Sequence, residues 1–258
     1  MHPILFKFGP LTLYTYGAML VAAFTVALWT VRRIHRALPE DLRPLTSDQL
    51  ADLACVALLG GIAGARLFFI ILHLDFFASD PQYILALWQG GLVWYGGMVG
   101  SMSAGWIYAR LHKAPALPLL DLFAPVIALS HAVGRVGCFL NGCCYGEITN
   151  AWYGVRMPGE PNPLVPVQLF EAVGLVFLYI ALRALQRPGT LRRFPGRVFG
   201  CYLAGYATLR FILERYRGDQ LPIWNALTLQ QIVSIGVLAA GVLLIAFPAR
   251  SAAAVRSH

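Results

Sequence analysis

Long runs of apolar side chains, each closed by a short polar stretch, organise this chain. A helix needs about 20 predominantly apolar residues to cross the hydrocarbon of a bilayer. On that measure the pattern predicts seven spans. They lie at about 11–31, at about 50–74, and from 89–100 to near Arg110 and Lys113; the fourth runs from about 119 into the segment Ser130–Gly146, and the last three at 167–186, 198–213 and 228–247. Between the fourth and fifth, residues 147–165 turn polar and proline-rich and predict an outer-side loop or small extramembrane element. There is no internal repeat and no linker long enough to separate domains, so residues 1–258 are expected to form one all-α integral membrane domain.

Composition strengthens this picture. Of 258 residues 58% are hydrophobic and only 12% charged, with a mean hydropathy of +0.65, against roughly 25% charged in an ordinary soluble domain. The opening lacks a charged region, short apolar stretch and small-residue cleavage site in series, so the first apolar segment is expected to stay. A formal charge of +8 could suggest nucleic acid, but the basic residues fall in short clusters between apolar runs, which is how topology signals are distributed. With the N-terminus outside and the C-terminus cytoplasmic, 13 of the 20 Lys and Arg fall in the inner loops and the tail, including Arg250 and Arg256. Nucleic-acid binding is therefore not expected.

The remaining cations carry the chemistry. Arg66 and Arg135 lie inside apolar runs, and an arginine at membrane depth costs about 2.5 to 3.5 kcal/mol on insertion scales, so it normally faces a cavity or a protein partner. Around Arg135 the stretch S-H-A-V-G-R-V-G-C-F-L-N-G-C-C-Y-G holds glycines at 134, 137, 142 and 146, which let the backbone leave helical geometry or approach a ligand closely. Two readings of Arg135 stand side by side: an anionic ligand, or a structural ion pair with an acid elsewhere. Arg210, Glu214 and Arg217, spaced by four and three, share one helical face if the sixth span continues that far. Arginine suits bidentate binding of phosphate oxygens and stays protonated when desolvated. In a membrane the nearest phosphates belong to lipids.

These segments resemble the prolipoprotein diacylglyceryl transferase family. G-R-V-G-C-F-L-N-G-C-C-Y-G at 134–146 is similar to the family signature G-R-x-G-N-F-x-N-x-E-x-x-G. In the same order stand Tyr16-Gly17, G-A-R at 64–66, Q-G-G-L-x-x-x-G-G at 89–97, D-x-x-A-P at 121–125, P-x-Q-L-F-E at 166–171 and R-F-x-x-E-x-x-R at 210–217. The resemblance implies transfer of the diacylglyceryl group of phosphatidylglycerol to the lipobox cysteine of a preprolipoprotein, at the outer leaflet of the bacterial cytoplasmic membrane, with release of glycerol phosphate and no cofactor. It implies that Arg135 and Arg210 are catalytic, binding the lipid phosphate and stabilising it as it leaves. Tyr16, Asn141, Gly146, Glu214, Arg217 and Arg66 are implied as substrate-binding; Asp121, Gln168 and Glu171 match as well.

Four positions depart from the family pattern: Tyr95 replaces a histidine favoured as the base, Cys138 an asparagine, Cys143 a glutamate and Val165 a histidine. Tyr95 takes the catalytic position but, with an ordinary phenol pKa near 10, is expected to orient the headgroup rather than act as base. The departures leave open a divergent paralogue that binds anionic phospholipid or a lipidated partner, or uses another acceptor. His131, Cys138, Cys143 and Cys144 invite a metal or redox reading, yet C-x4-C-C is not a usual zinc spacing and free cysteine often serves as a small buried hydrophobe. No metal is expected from spacing.

Overall fold

The structure, a computed structural model, describes residues 4–8, 11–86, 90–218 and 227–247. Gln89 of the glycine-rich segment and the tail arginines Arg250 and Arg256 lie outside the described residues. The fold is predominantly helical, and each predicted apolar segment contains a long helix: α1 Thr15–Ala37, α2 Ser47–Leu72, α4 Trp94–Leu111, α5 Ala116–Asn141, α6 Val167–Leu185, α8 Arg197–Leu213 and α9 Leu229–Ala246. Two short helices, α3 Leu74–Ser79 and α7 Pro188–Arg193, fall between them. Among the described residues five segments are long and apolar enough to cross a membrane, namely α1, α5, α6, α9 and Glu40–Leu72, which contains α2. The 17 residues of α8, at 1.5 Å each, reach about 26 Å, at the lower end of the lengths that cross a bilayer.

Two expectations need correction. The first span does not begin at residue 11: Leu11–Tyr14 is a strand, β2, paired antiparallel with β1, Ile4–Phe8, and the helix starts at Thr15. The fold is thus not purely α. A second ribbon pairs β3, Val155–Arg156, with β4, Pro163–Leu164.

The chain divides into two compact units, residues 43–119 and residues 1–42 with 120–258. In the first, Thr46 and Gln49 form a reciprocal capping box that starts α2, their bonds 3.2 and 2.9 Å long. Helices α2 and α4 then pack through glycine. A Cβ on Gly64 would stand 2.4 Å from the Gly96 carbonyl oxygen, and one on Gly100 closer still to that of Gly60. Small residues let membrane helices approach backbone to backbone, where dispersion and polar contacts replace the hydrophobic drive. Ser101 Oγ donates to the Ala57 carbonyl at 2.7 Å across this seam.

The second unit gathers β1 and β2, α1, most of α5, and α6 to α9. Ala124 and Ala128 of α5 pack with Leu182 of α6 and with Val198 and Tyr202 of α8. Below them Ala132, Ala172 and Leu175 continue the core. The start of α8 is fixed from α5: the fully buried Asp121 carboxylate accepts from Gly196 N at 2.7 Å and Phe199 N at 2.8 Å. Those are donors that a helix start leaves without an intrahelical acceptor. Gln186 Nε2 donates to the Asp121 carbonyl at 2.9 Å. The segment after Gly146 is tied down by backbone, with Glu147 N donating to Tyr216 O at 2.8 Å and Val165 N to Glu147 O at 3.0 Å.

Candidate active site

Helices α5 and α8 present matched pairs at i, i+4 spacing: His131 and Arg135 on one, Tyr206 and Arg210 on the other. Between them α6 supplies Glu171, 1% exposed. Arg135 Nη2 stands 3.0 Å from Glu171 Oε1, and Tyr206 Oη donates to the same oxygen at 3.2 Å. His131 Nε2 lies 3.8 Å from it, its ring edge-on to Tyr206 with centroids 5.2 Å apart. The second arginine has its own acid. Arg210 Nη2 lies 2.7 Å from Glu214 Oε2, and Thr228 Oγ1 donates to Glu214 Oε1 at 3.0 Å. Arg210 is close enough for its charge to act on His131 and Tyr206.

The ion-pair reading of Arg135 is therefore satisfied in part, and yet neither guanidinium is used up. Arg135 Nε and Arg210 Nη1 are buried with no hydrogen-bond partner among the described residues. A buried donor left unmade costs about 1–3 kcal/mol, so such donors mark where an acceptor belongs. A guanidinium has five N–H donors in a rigid fork and a carboxylate occupies two at most. The remainder suit a second anion.

Arg217 departs from the expected face. After Leu213 the α8 hydrogen bonding tightens into a 3-10 turn over Glu214–Tyr216, and Arg217 is extended, with φ −95° and ψ 111°. Its charge instead acts on Cys144. Arg66 spends its donors on the loop beyond α3: Nε donates to Ile84 O at 2.9 Å, Nη1 to Gly90 O at 2.8 Å and Gly91 O at 3.2 Å, and Nη2 to Tyr83 O. Gly146 is packed so tightly that a Cβ would stand 2.4 Å from the Tyr216 carbonyl oxygen. Tyr16, 40% exposed, sits on the first turn of α1 with its ring 4.0 Å from where a Gly137 Cβ would be. Gln168 Nε2 donates to Cys143 O at 2.7 Å. Tyr95, exposed near the start of α4, belongs to the unit 43–119.

A family model described as prolipoprotein diacylglyceryl transferase matches residues 3–247. The chain belongs to that family. It is 33% identical over 252 residues to a Vibrio cholerae protein named phosphatidylglycerol--prolipoprotein diacylglyceryl transferase, covering 95% of this chain and 90% of that one. Relatives of the same name from Photobacterium profundum and Pseudoalteromonas atlantica are 32% and 34% identical, over 95% and 84% of this chain and 92% and 76% of theirs.

Reading the sequence missed Tyr206, whose hydroxyl shares the Glu171 oxygen, and Thr228, which holds Glu214. A signal for Tyr206 existed in its spacing of four from Arg210, but an aromatic in an apolar run reads first as packing. The sequence groups Cys138, Cys143 and Cys144 but does not show the turn that joins them. Gly142, at φ +73°, ends α5 with Cys143 N donating to Cys138 O and Gly142 N to Phe139 O, both 3.1 Å. This 6→1 and 5→2 pair is a Schellman motif, which folds the residue after the glycine back against the last turn. The sulfurs of Cys138, Cys143 and Cys144 accordingly lie within 4.8 Å of one another. All three are free thiols, and Cys144 is exposed. A hydrogen bond with Cys138, and then the Arg135 and Arg217 charges, hold Cys144 below the usual thiol range.

Proposed function

We propose that this protein transfers the diacylglyceryl group of phosphatidylglycerol to the lipobox cysteine thiol of a preprolipoprotein, forming a thioether and releasing glycerol phosphate. The observation that carries this reading is the pair of buried guanidinium donors, Arg135 Nε and Arg210 Nη1, that have no hydrogen-bond partner among the described residues although each arginine already has a carboxylate. The acceptor sulfur attacks C3 of the diacylglyceryl group as the C3–O bond to phosphate breaks, so negative charge grows on the leaving phosphate. Fixed donors in a site of low dielectric stabilise that charge most because they need not reorganise. Glu171, with Tyr206, and Glu214, with Thr228, hold the two guanidinium groups in place. Tyr16, Asn141 and Arg217 complete the lipid and acceptor site, Gly146 lets the backbone close on it, and Arg66 acts by holding Tyr83, Ile84, Gly90 and Gly91.

All seven long helices cross the cytoplasmic membrane in this reading, with the N-terminus and residues 147–165 outside and the active site toward the outer leaflet. The test is transfer of labelled diacylglyceryl from phosphatidylglycerol to a lipobox peptide. Arg135→Ala and Arg210→Ala are each expected to abolish transfer while the protein still inserts, and Arg135→Lys to fail badly because a point charge does not reproduce the fork. Wild-type turnover by either alanine variant would overturn the phosphate assignment. Bound phosphatidylglycerol without transfer by the wild type would point instead to a lipid-binding paralogue, the reading favoured by the departures at Tyr95, Cys138 and Cys143.

A further inference from the structure

We propose that Cys138, Cys143 and Cys144 form a three-thiolate site for zinc, whose fourth position takes the acceptor thiol and delivers it as thiolate. The proposal rests on the transferase reading for its acceptor and on the cysteine geometry for its metal. Three sulfurs from one turn lie within 4.8 Å of one another. Three thiolates bound tetrahedrally to zinc at about 2.3 Å stand about 3.8 Å apart, so the longest separation closes by about one ångström. Two independent features build this arrangement. The Schellman turn at Gly142 places Cys143 on Cys138, and Cys144 is one of two non-glycine residues at positive φ among the described residues, at +63°. A left-handed non-glycine residue is strained and persists where its surroundings require it.

Three protein ligands and an open fourth position are the pattern of catalytic rather than structural zinc. Soft thiolates select zinc over hard cations. Zinc and three thiolates carry one net negative charge, next to the Arg135 and Arg217 guanidinium groups. The three cysteines release their protons to solvent on binding, and the acceptor thiol releases its own on coordination, since a coordinating thiol is deprotonated. Its lone pair then forms the S–C3 bond while the C3–O pair leaves with the phosphate. No oxidant or reductant enters. Where the family carries asparagine and glutamate this chain carries two of the three cysteines, and where it carries a histidine this chain has Tyr95. One substitution set thus supplies the thiolate that the missing base would have generated.

The experiment uses full-length protein, reduced with a phosphine, stripped with chelator and titrated with Zn2+ or Co2+ in detergent. About one equivalent of Zn2+ per chain is expected, with a cobalt spectrum of tetrahedral thiolate ligation. Cys138→Ser and Cys144→Ser are expected to weaken zinc binding beyond the roughly 10- to 100-fold that loss of an outer-shell partner costs, and Cys55→Ser to leave it unchanged. A lipobox peptide with cysteine is expected to shift the cobalt bands, and its serine counterpart not to. Three reactive thiols without bound metal, a disulfide that re-forms in place of metal binding, or zinc binding unaffected in both variants would overturn the site. Cobalt bands indifferent to the cysteine peptide would overturn its fourth ligand. Full transfer by zinc-free protein would overturn its catalytic use and spare the transferase reading, whereas zinc and peptide bound without transfer from phosphatidylglycerol would overturn the transferase reading and spare the metal.

Discussion

Glu171 Oε1 accepts from both Arg135 and Tyr206, and the two contacts differ in what their loss exposes. Removing one partner of a buried ion pair strands the other charge, at about 3–5 kcal/mol. Glu171→Gln is therefore expected to destabilise the folded protein severely, read as loss of thermal stability in detergent and of transfer together. Tyr206→Phe removes one neutral donor, at about 1 kcal/mol, and is expected to leave a folded, slower enzyme with its KM for phosphatidylglycerol little changed. In the proposed reading Tyr95 orients the headgroup through its hydroxyl, so in Tyr95→Phe transfer is expected to fall about tenfold or less between pH 6 and 10. Complete loss in that variant with lipid binding intact would make the phenolate the base. The carboxylate partner of Arg135 could not be assigned from the sequence, because Glu171 lies 36 residues away and only tertiary packing joins them. By contrast the Arg210–Glu214 pair followed from helical spacing, and that spacing failed at Arg217, where the last turn tightens.

At the scale of elements, α2 and α4 meet where glycine leaves no room for a side chain. Gly100→Ala is expected to lower the thermal midpoint in detergent, as over-packing costs about 1–3 kcal/mol. Gly236→Ala in α9, with nothing within 4 Å of the added Cβ, serves as the neutral comparison. Asp121 links elements differently, since one carboxylate from α5 fixes the first turn of α8. Asp121→Asn leaves one acceptor oxygen for two backbone donors, so a loss of about 1–3 kcal/mol is expected. Transfer should also fall, because α8 carries Tyr206 and Arg210. Helix positions were legible because a membrane helix announces itself by a long apolar run. The N-terminal hairpin was not, because its strands merge into the first such run, and the Schellman turn was visible only as a glycine.

For the molecule as a whole, the proposed topology rests on the distribution of lysine and arginine. Reporter enzymes fused after Arg187 and after Ala151 are expected to be active only inside and only outside the cell respectively, and the reverse would invert the proposed topology. The two arginines also differ in when their charge is met during synthesis. Arg210 and Glu214 lie on one helical turn and its 3-10 extension, so the pair is neutral as it leaves the ribosome. Arg135 waits for Glu171. At about 5–20 residues per second, the 36 intervening residues take roughly two to seven seconds. Through that interval α5 holds a cation without its carboxylate, so its insertion is expected to need shelter by the insertion machinery until α6 arrives.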